Sequence, residues 1–313
     1  MIWLLLACAP ARRGTEPVVK LTLAMHLEGI PVLTDQEAFE TQAHNLRLTG
    51  EQFAAHGAVL TLDAKDLIGA MTRWEDPVLL ELQEQGHAIG IHADRGGQPD
   101  LTEEEFVGDL VRLREALAAQ GVDAVHVSGV CSELDWVSGV QEAGFLAATD
   151  TVEYCLKSLE SPPPYIDACT TPSECHRPFP GHIAEQLDPW RAADGGTWLE
   201  PADEGLWILP AAGNLSCLDE QLREDETAGA CDFNEADLEA FRYTLAAAME
   251  HAQPGQPNHL GIVWSYGQTP HRGLLSQWLG EIDHHVEQGN VVWTSVPELV
   301  EDGEGCWGAT GCE

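Results

Sequence analysis

The feature that most constrains this chain is an alternation of two patterns. Short apolar runs take turns with longer amphipathic stretches along most of the sequence. The apolar runs at residues 18–25, 58–62, 87–92, 124–128, 146–149, 206–210, 260–265 and 291–295 read as strands. Residues 35–56, 76–85, 102–120, 133–143, 235–251 and 274–288 carry helical spacing. Thr102 and Glu105 form a capping-box signature at the start of one helix, and Gly86 and Gly121 sit where helices should stop. Seven or eight strands separated by helices imply a parallel sheet with helical crossovers. That count favours an α/β fold of the (β/α) barrel type, distorted or incomplete, over an open sheet. Chemistry in such barrels sits at the C-terminal ends of the strands.

The alternation breaks between about residues 150 and 232, a stretch rich in Pro and Cys with weak periodicity. The domain reading follows. Residues 1–17 are a leader and tether. Residues 18–301 form one barrel carrying a disulfide-rich loop insertion. Residues 302–313 are a tail that Cys306 and Cys312 would tie.

Composition narrows the class. Fifteen Lys and Arg against 52 Asp and Glu leave a net charge of −37. Such a surface repels phosphate backbones, so nucleic acid is not an expected partner. The apolar run at residues 2–7 is too short to span a bilayer and ends in Leu5-Leu6-Ala7-Cys8, which resembles a bacterial lipoprotein box. A lipid on Cys8 would then be the only attachment to a membrane. The other eight cysteines begin at Cys131, and their even number suggests disulfides formed in an oxidising compartment. Neighbour pairing (131–155, 169–175, 217–231, 306–312) is the simplest arrangement because short loops close most easily. The expected location is the cell envelope or the exterior.

Two strand ends carry candidate chemistry. One reads Met25-His26-Leu27-Glu28-Gly29 and the other Ile91-His92-Ala93-Asp94. In extended backbone, residues two apart face the same side, so His26 with Glu28 and His92 with Asp94 could converge at one barrel mouth. Two imidazoles with carboxylates suit zinc or another divalent ion. The competing reading is a set of hydrogen-bonded polar residues with no metal. Asp188, Trp190 and Arg191, in the insertion, could line a sugar groove. A structural role for them, with the indole buried, is the more economical reading.

The segment Gly86-His-Ala-Ile-Gly-Ile-His92 resembles the Gly-His-Glu-Ile-Gly-Asn-His signature of the NodB-type polysaccharide deacetylases, carbohydrate esterase family four. The step ending in Glu28-Gly29 resembles that family's Thr-Phe-Asp-Asp-Gly motif, and further similarity covers roughly residues 18–150 and 258–300. The resemblance implies a distorted barrel that hydrolyses acetyl groups on glycans, using a metal held by Asp, His and His. Carried over residue by residue, it puts His92 and Glu28 on the metal. The second histidine position falls on Gly96, leaving Asp94 as a substitute ligand. The base position falls on Leu27, leaving His26 as base or further ligand. The late-strand histidine position falls near Ser265 or Tyr266, with His271 close behind. The family's arginine-proline motif is replaced by Ser128-Gly-Val-Cys-Ser132. The expectation is a zinc-dependent deacetylase of an envelope glycan. The alternative is a non-catalytic envelope protein that uses the same barrel to bind a glycan or protein.

Overall fold

The computed structural model describes residues 17–95, 98, 101–180, 188–223, 231–265 and 272–306. Nine strands and nine helices follow one another in these segments: β1 Val19–Leu27, α1 Gln36–Ala55, β2 Thr61–Ala64, α2 Asp66–Trp74, α3 Val78–Glu84, β3 Ala88–His92, α4 Glu103–Ala118, β4 His126–Ser128, α5 Trp136–Glu142, β5 Ala147–Thr149, β6 Trp190–Ala192, β7 Leu206–Leu209, α6 Leu218–Leu222, α7 Glu235–His251, β8 His259–Ser265, α8 Arg272–Glu287, β9 Val291–Trp293 and α9 Val296–Cys306.

The sheet runs β6-β7-β5-β4-β3-β2-β1-β8, parallel throughout except for β6, with β9 on β1. β9 pairs with the start of β1 and β2 with its end. The sheet then curls back on itself. The chain leaving β7 reaches β8, with Ala212 N–H donating to Gly261 O and Val263 N–H to Gly213 O. An α/β barrel of distorted form is therefore the observed architecture, as the alternation predicts. β1 is buried along nearly its whole length because it pairs with β8 on one edge and with β9 and β2 on the other.

Local signals explain most boundaries. Asp35 caps α1 by accepting from Ala38 N–H, and the Thr102–Glu105 capping box opens α4. Gly86 takes a φ of +97° after α3, a conformation that costs glycine little. Four elements depart from the sequence reading: no helical spacing is read over α2 or α6, and β6 and α9 differ as well. β6 lies in a stretch read as irregular, and α9 occupies the start of what reads as a Gly-rich tail. Val296, Leu299 and Val300 of α9 pack on Ala147, Trp207 and Leu209, and this burial outweighs the helix-weakening glycines.

Three disulfides staple the barrel and its insertion: Cys131–Cys155, Cys169–Cys175 and Cys217–Cys231. These are the neighbour pairs expected from loop length. The fourth expected pair, Cys306 with Cys312, falls outside the described side chains, as does Cys8. Trp198 anchors the insertion, with its ring centroid 5.6 Å from Trp136, 6.1 Å from Phe179 and 6.2 Å from Trp190. Among the described residues no helix is long and apolar enough to cross a membrane.

Candidate metal centre

The interior of the barrel carries a polar column on the C-terminal side of its strands. β1 contributes His26 and is followed by Glu28, β2 contributes Asp63, β3 His92, and β4 His126 and Ser128. Asp150 follows β5. Six of these seven side chains are nearly or fully buried, and only Glu28 keeps as much as 40% exposure.

His26, Glu28 and His92 offer ligand atoms that all lie within 4.8 Å of one another. His92 Nε2 stands 3.1 Å from Glu28 Oε2, and the two imidazole centroids are 4.4 Å apart. His92 Nδ1 is 3.0 Å from Ser128 Oγ. A proton on Nδ1, donated to that hydroxyl, would free the Nε2 lone pair for a cation in place of its hydrogen bond to Glu28. This is the orientation a metal-ligating histidine needs, with its second nitrogen held by a neighbour. The donor set therefore fits a divalent cation.

Electrostatics agree with the geometry. The hydrogen bond with His92 holds the Glu28 carboxyl at about 2, against opposition from burial and with help from the charges of His92, His26 and His176. Burial pushes the His26 imidazole down, but its hydrogen bond to Asp150 and the charges of Asp150, Asp63 and Glu28 outweigh it, so its pKa is raised. Burial likewise opposes ionisation of Asp63. His126, through charge and hydrogen bond, keeps that carboxyl below its ordinary value, with smaller help from His26 and Ser128. Among the described residues, none of the three carboxylates Glu28, Asp63 and Asp150 is paired with Lys or Arg; their partners are imidazoles.

Two glycines let this column form. Asp63 on β2 meets His126 on β4 across the intervening β3, with Oδ1 and Nε2 2.9 Å apart. A Cβ on Gly90 would lie 2.0 Å from His126 Nε2 and 2.4 Å from Asp63 Oδ1, so only glycine leaves room. Gly129, at φ +66°, admits the chain leaving β3; a Cβ there would come within 2.7 Å of Asp94 N.

The structure sorts the sequence-predicted residues. It brings together His26, Glu28 and His92. It does not bring Asp94 to them. Asp94 adopts φ +46°, which ends the strand geometry that would keep it on the His92 side, and its exposed carboxylate pairs with Lys65 Nζ at 2.6 Å. Asp188, Trp190 and Arg191 lie away from the mouth. Asp188 accepts from Asn258 N–H, just before the start of β8, at the opposite end of that strand from Ser265. Trp190 stacks on Trp198 and donates to its carbonyl, and Arg191 packs over Trp207 and pairs with Glu304. Trp190 is half-buried, and Asp188 and Arg191 find separate partners rather than each other. Tyr266, His271 and the Gly96 position fall outside the described residues. His87, within the signature segment, is structural. Its Nδ1 accepts from Leu60 N–H, which leaves Nε2–H to donate to Gly50 O.

Sequence reasoning missed Asp63, His126 and Asp150. Asp63 had one available signal, an acid inside a strand otherwise made of core residues. Asp150 is the first residue beyond a strand, as Glu28 is, and takes a left-handed φ of +59°. Such a conformation costs a non-glycine residue about 1 kcal/mol or more and clusters at functional sites. His176, exposed in the insertion and without a sequence signal of its own, stands near enough to His26, Glu28 and His92 to interact with their charges.

No family model matches the chain, and no curated protein matches it either. Solved structures do. A proposed polysaccharide deacetylase from Mycobacterium smegmatis superposes with a TM-score of 0.59 at 15% identity, covering 97% of both chains. The Puue allantoinase gives 0.60 at 13% identity, over 95% of this chain and 93% of that one. The 4-alpha-glucanotransferase of Thermococcus litoralis gives 0.55 at 15% identity over 91% of this chain, which spans only 40% of that enzyme's length. At these identities the likeness is one of fold. The distorted (β/α) barrel is the fold this chain shares with all three.

Proposed function

We propose that this chain is a metal-dependent hydrolase that removes acetyl groups, as amides or esters, from a glycan. The observation that carries the reading is the convergence of His26, Glu28 and His92 at the C-terminal ends of β1 and β3 in a deacetylase-type barrel. These residues would hold the ion, and zinc suits two imidazoles with a carboxylate. When bound, a divalent metal supplies a Lewis acid for the acetyl carbonyl and lowers the pKa of water.

The chain's own residues do the rest. Ser128 fixes the His92 ring, and Asp150 holds His26 Nε2 at 2.9 Å. Crowding by neighbouring groups first, then the charge of His26, keeps the His176 imidazole below its ordinary pKa even though its surface stays exposed. At neutral pH His176 is therefore uncharged and able to take up a proton at the mouth. The chain is further proposed to work outside the cytoplasm, tethered through Cys8. The three disulfides support that location.

One observation favours a purely binding barrel. Leu27, at the family's base position, is buried in the core. Release of acetate decides between the two. Zinc-loaded protein should deacetylate at least one of a chitooligosaccharide, a peptidoglycan fragment and acetylated xylan. No acetate from any of them would leave the binding reading.

A further inference from the structure

The Asp63 carboxylate presents an unsolved charge. Its side chain is fully buried. Oδ1 meets His126 Nε2, but Oδ2 is sealed from solvent and has no hydrogen-bond partner. A buried carboxylate oxygen left unpaired is costly, and native structures rarely keep one without a reason. The unpaired atom points toward two other donors. His26 Nε2 lies 3.9 Å away, and Asp150 Oδ2 lies 2.9 Å from that same nitrogen. Ligand atoms of His26, Asp63 and Asp150 all lie within 4.8 Å of one another.

We propose that His26, Asp63 and Asp150 form a second divalent-cation position, deeper in the barrel than Glu28 and His92. Donors about 2.0 to 2.2 Å from a tetrahedral ion stand roughly 3.3 Å apart, and the two measured separations bracket that value. Each carboxylate is already held from outside. His126 grips the other oxygen of Asp63, and Thr149 Oγ1 donates to Asp150 at 3.1 Å. Such outer partners orient ligands before an ion arrives. One nitrogen and two carboxylate oxygens suit zinc or manganese. The alternative is that protonated His26 and His126 neutralise the two aspartates without any ion. The position shares His26 with the outer donors but does not depend on the hydrolytic reading.

Metal binding by the full chain tests it, with zinc and manganese as probes under equilibrium dialysis. A Glu28→Gln/His92→Ala double variant lacks the outer donors. It should still hold about one equivalent of ion per chain. Adding Asp63→Asn, or Asp150→Asn where Asp63→Asn alters the circular dichroism, should abolish that remaining equivalent. An ion-free double variant, or one whose ion survives both aspartate substitutions, overturns the proposal. Acetate release measured on the same samples keeps the questions apart. Full hydrolysis by the double variant would sink the outer-site reading and leave the deep position standing.

Discussion

The two ends of the barrel solve the same problem in opposite ways. At the N-terminal end, charged groups at the rim are matched with ordinary partners, although Nδ1 of the buried His259 has none. Lys20 pairs with Asp302 of α9 at 2.5 Å, Thr22 meets His259 at 2.8 Å, and Arg191 pairs with Glu304. Here α9 lies across the strands and contributes apolar cover as well as acids. At the C-terminal end, none of three carboxylates is paired with Lys or Arg among the described residues, and one buried Asp63 oxygen has no hydrogen-bond partner. A fold under selection for stability alone would be expected to pair such charges. Under the proposed function, the unmatched end is where the cation and substrate would bind, and the matched end is where the fold is secured.

That contrast can be broken by substitution. The largest expected effect is at Gly90, the gap through which Asp63 and His126 meet. Gly90→Ala should cost about 3 kcal/mol, because both neighbours are buried and cannot retreat. Chemical denaturation measures it, and an unchanged midpoint would mean that the column is looser than described. Next comes Ser128→Ala. It leaves the fold largely intact and frees the His92 ring, so zinc affinity at the mouth should fall about 10- to 100-fold by calorimetry. An unaltered isotherm would show that the ring needs no such support. The smallest effect is expected at the other end. Lys20→Met removes a partly exposed pair and should change stability by less than about 1 kcal/mol, with acetate release unaffected. A loss of activity there would erase the distinction between the ends.

The parts of this architecture that were legible in the sequence are those with a local signature. Strand and helix alternation implied the barrel, and cysteine spacing implied the three observed disulfides. His26, Glu28 and His92 stood out because each follows or ends a strand. Elements without a local signal were missed. α2 starts after Lys65 with no side-chain cap, so nothing announces it. β6 is only three residues long and exists because β7 offers it an edge. Asp63, His126 and Asp150 come from three different strands or strand ends, and their meeting depends on sheet order and on the absent side chain of Gly90. Asp94 shows the converse error. A two-residue spacing places it beside His92 only if the backbone stays extended, and the left-handed turn at Asp94 sends its carboxylate to Lys65.

The central claim is that the mouth of this barrel is built to hold a metal. The most direct measurement is anomalous scattering at the zinc edge from crystals of the protein grown with zinc. The account predicts a peak about 2.0 to 2.2 Å from His92 Nε2 and from a Glu28 carboxylate oxygen. A well-ordered mouth with no anomalous peak among His26, Glu28 and His92 would contradict it.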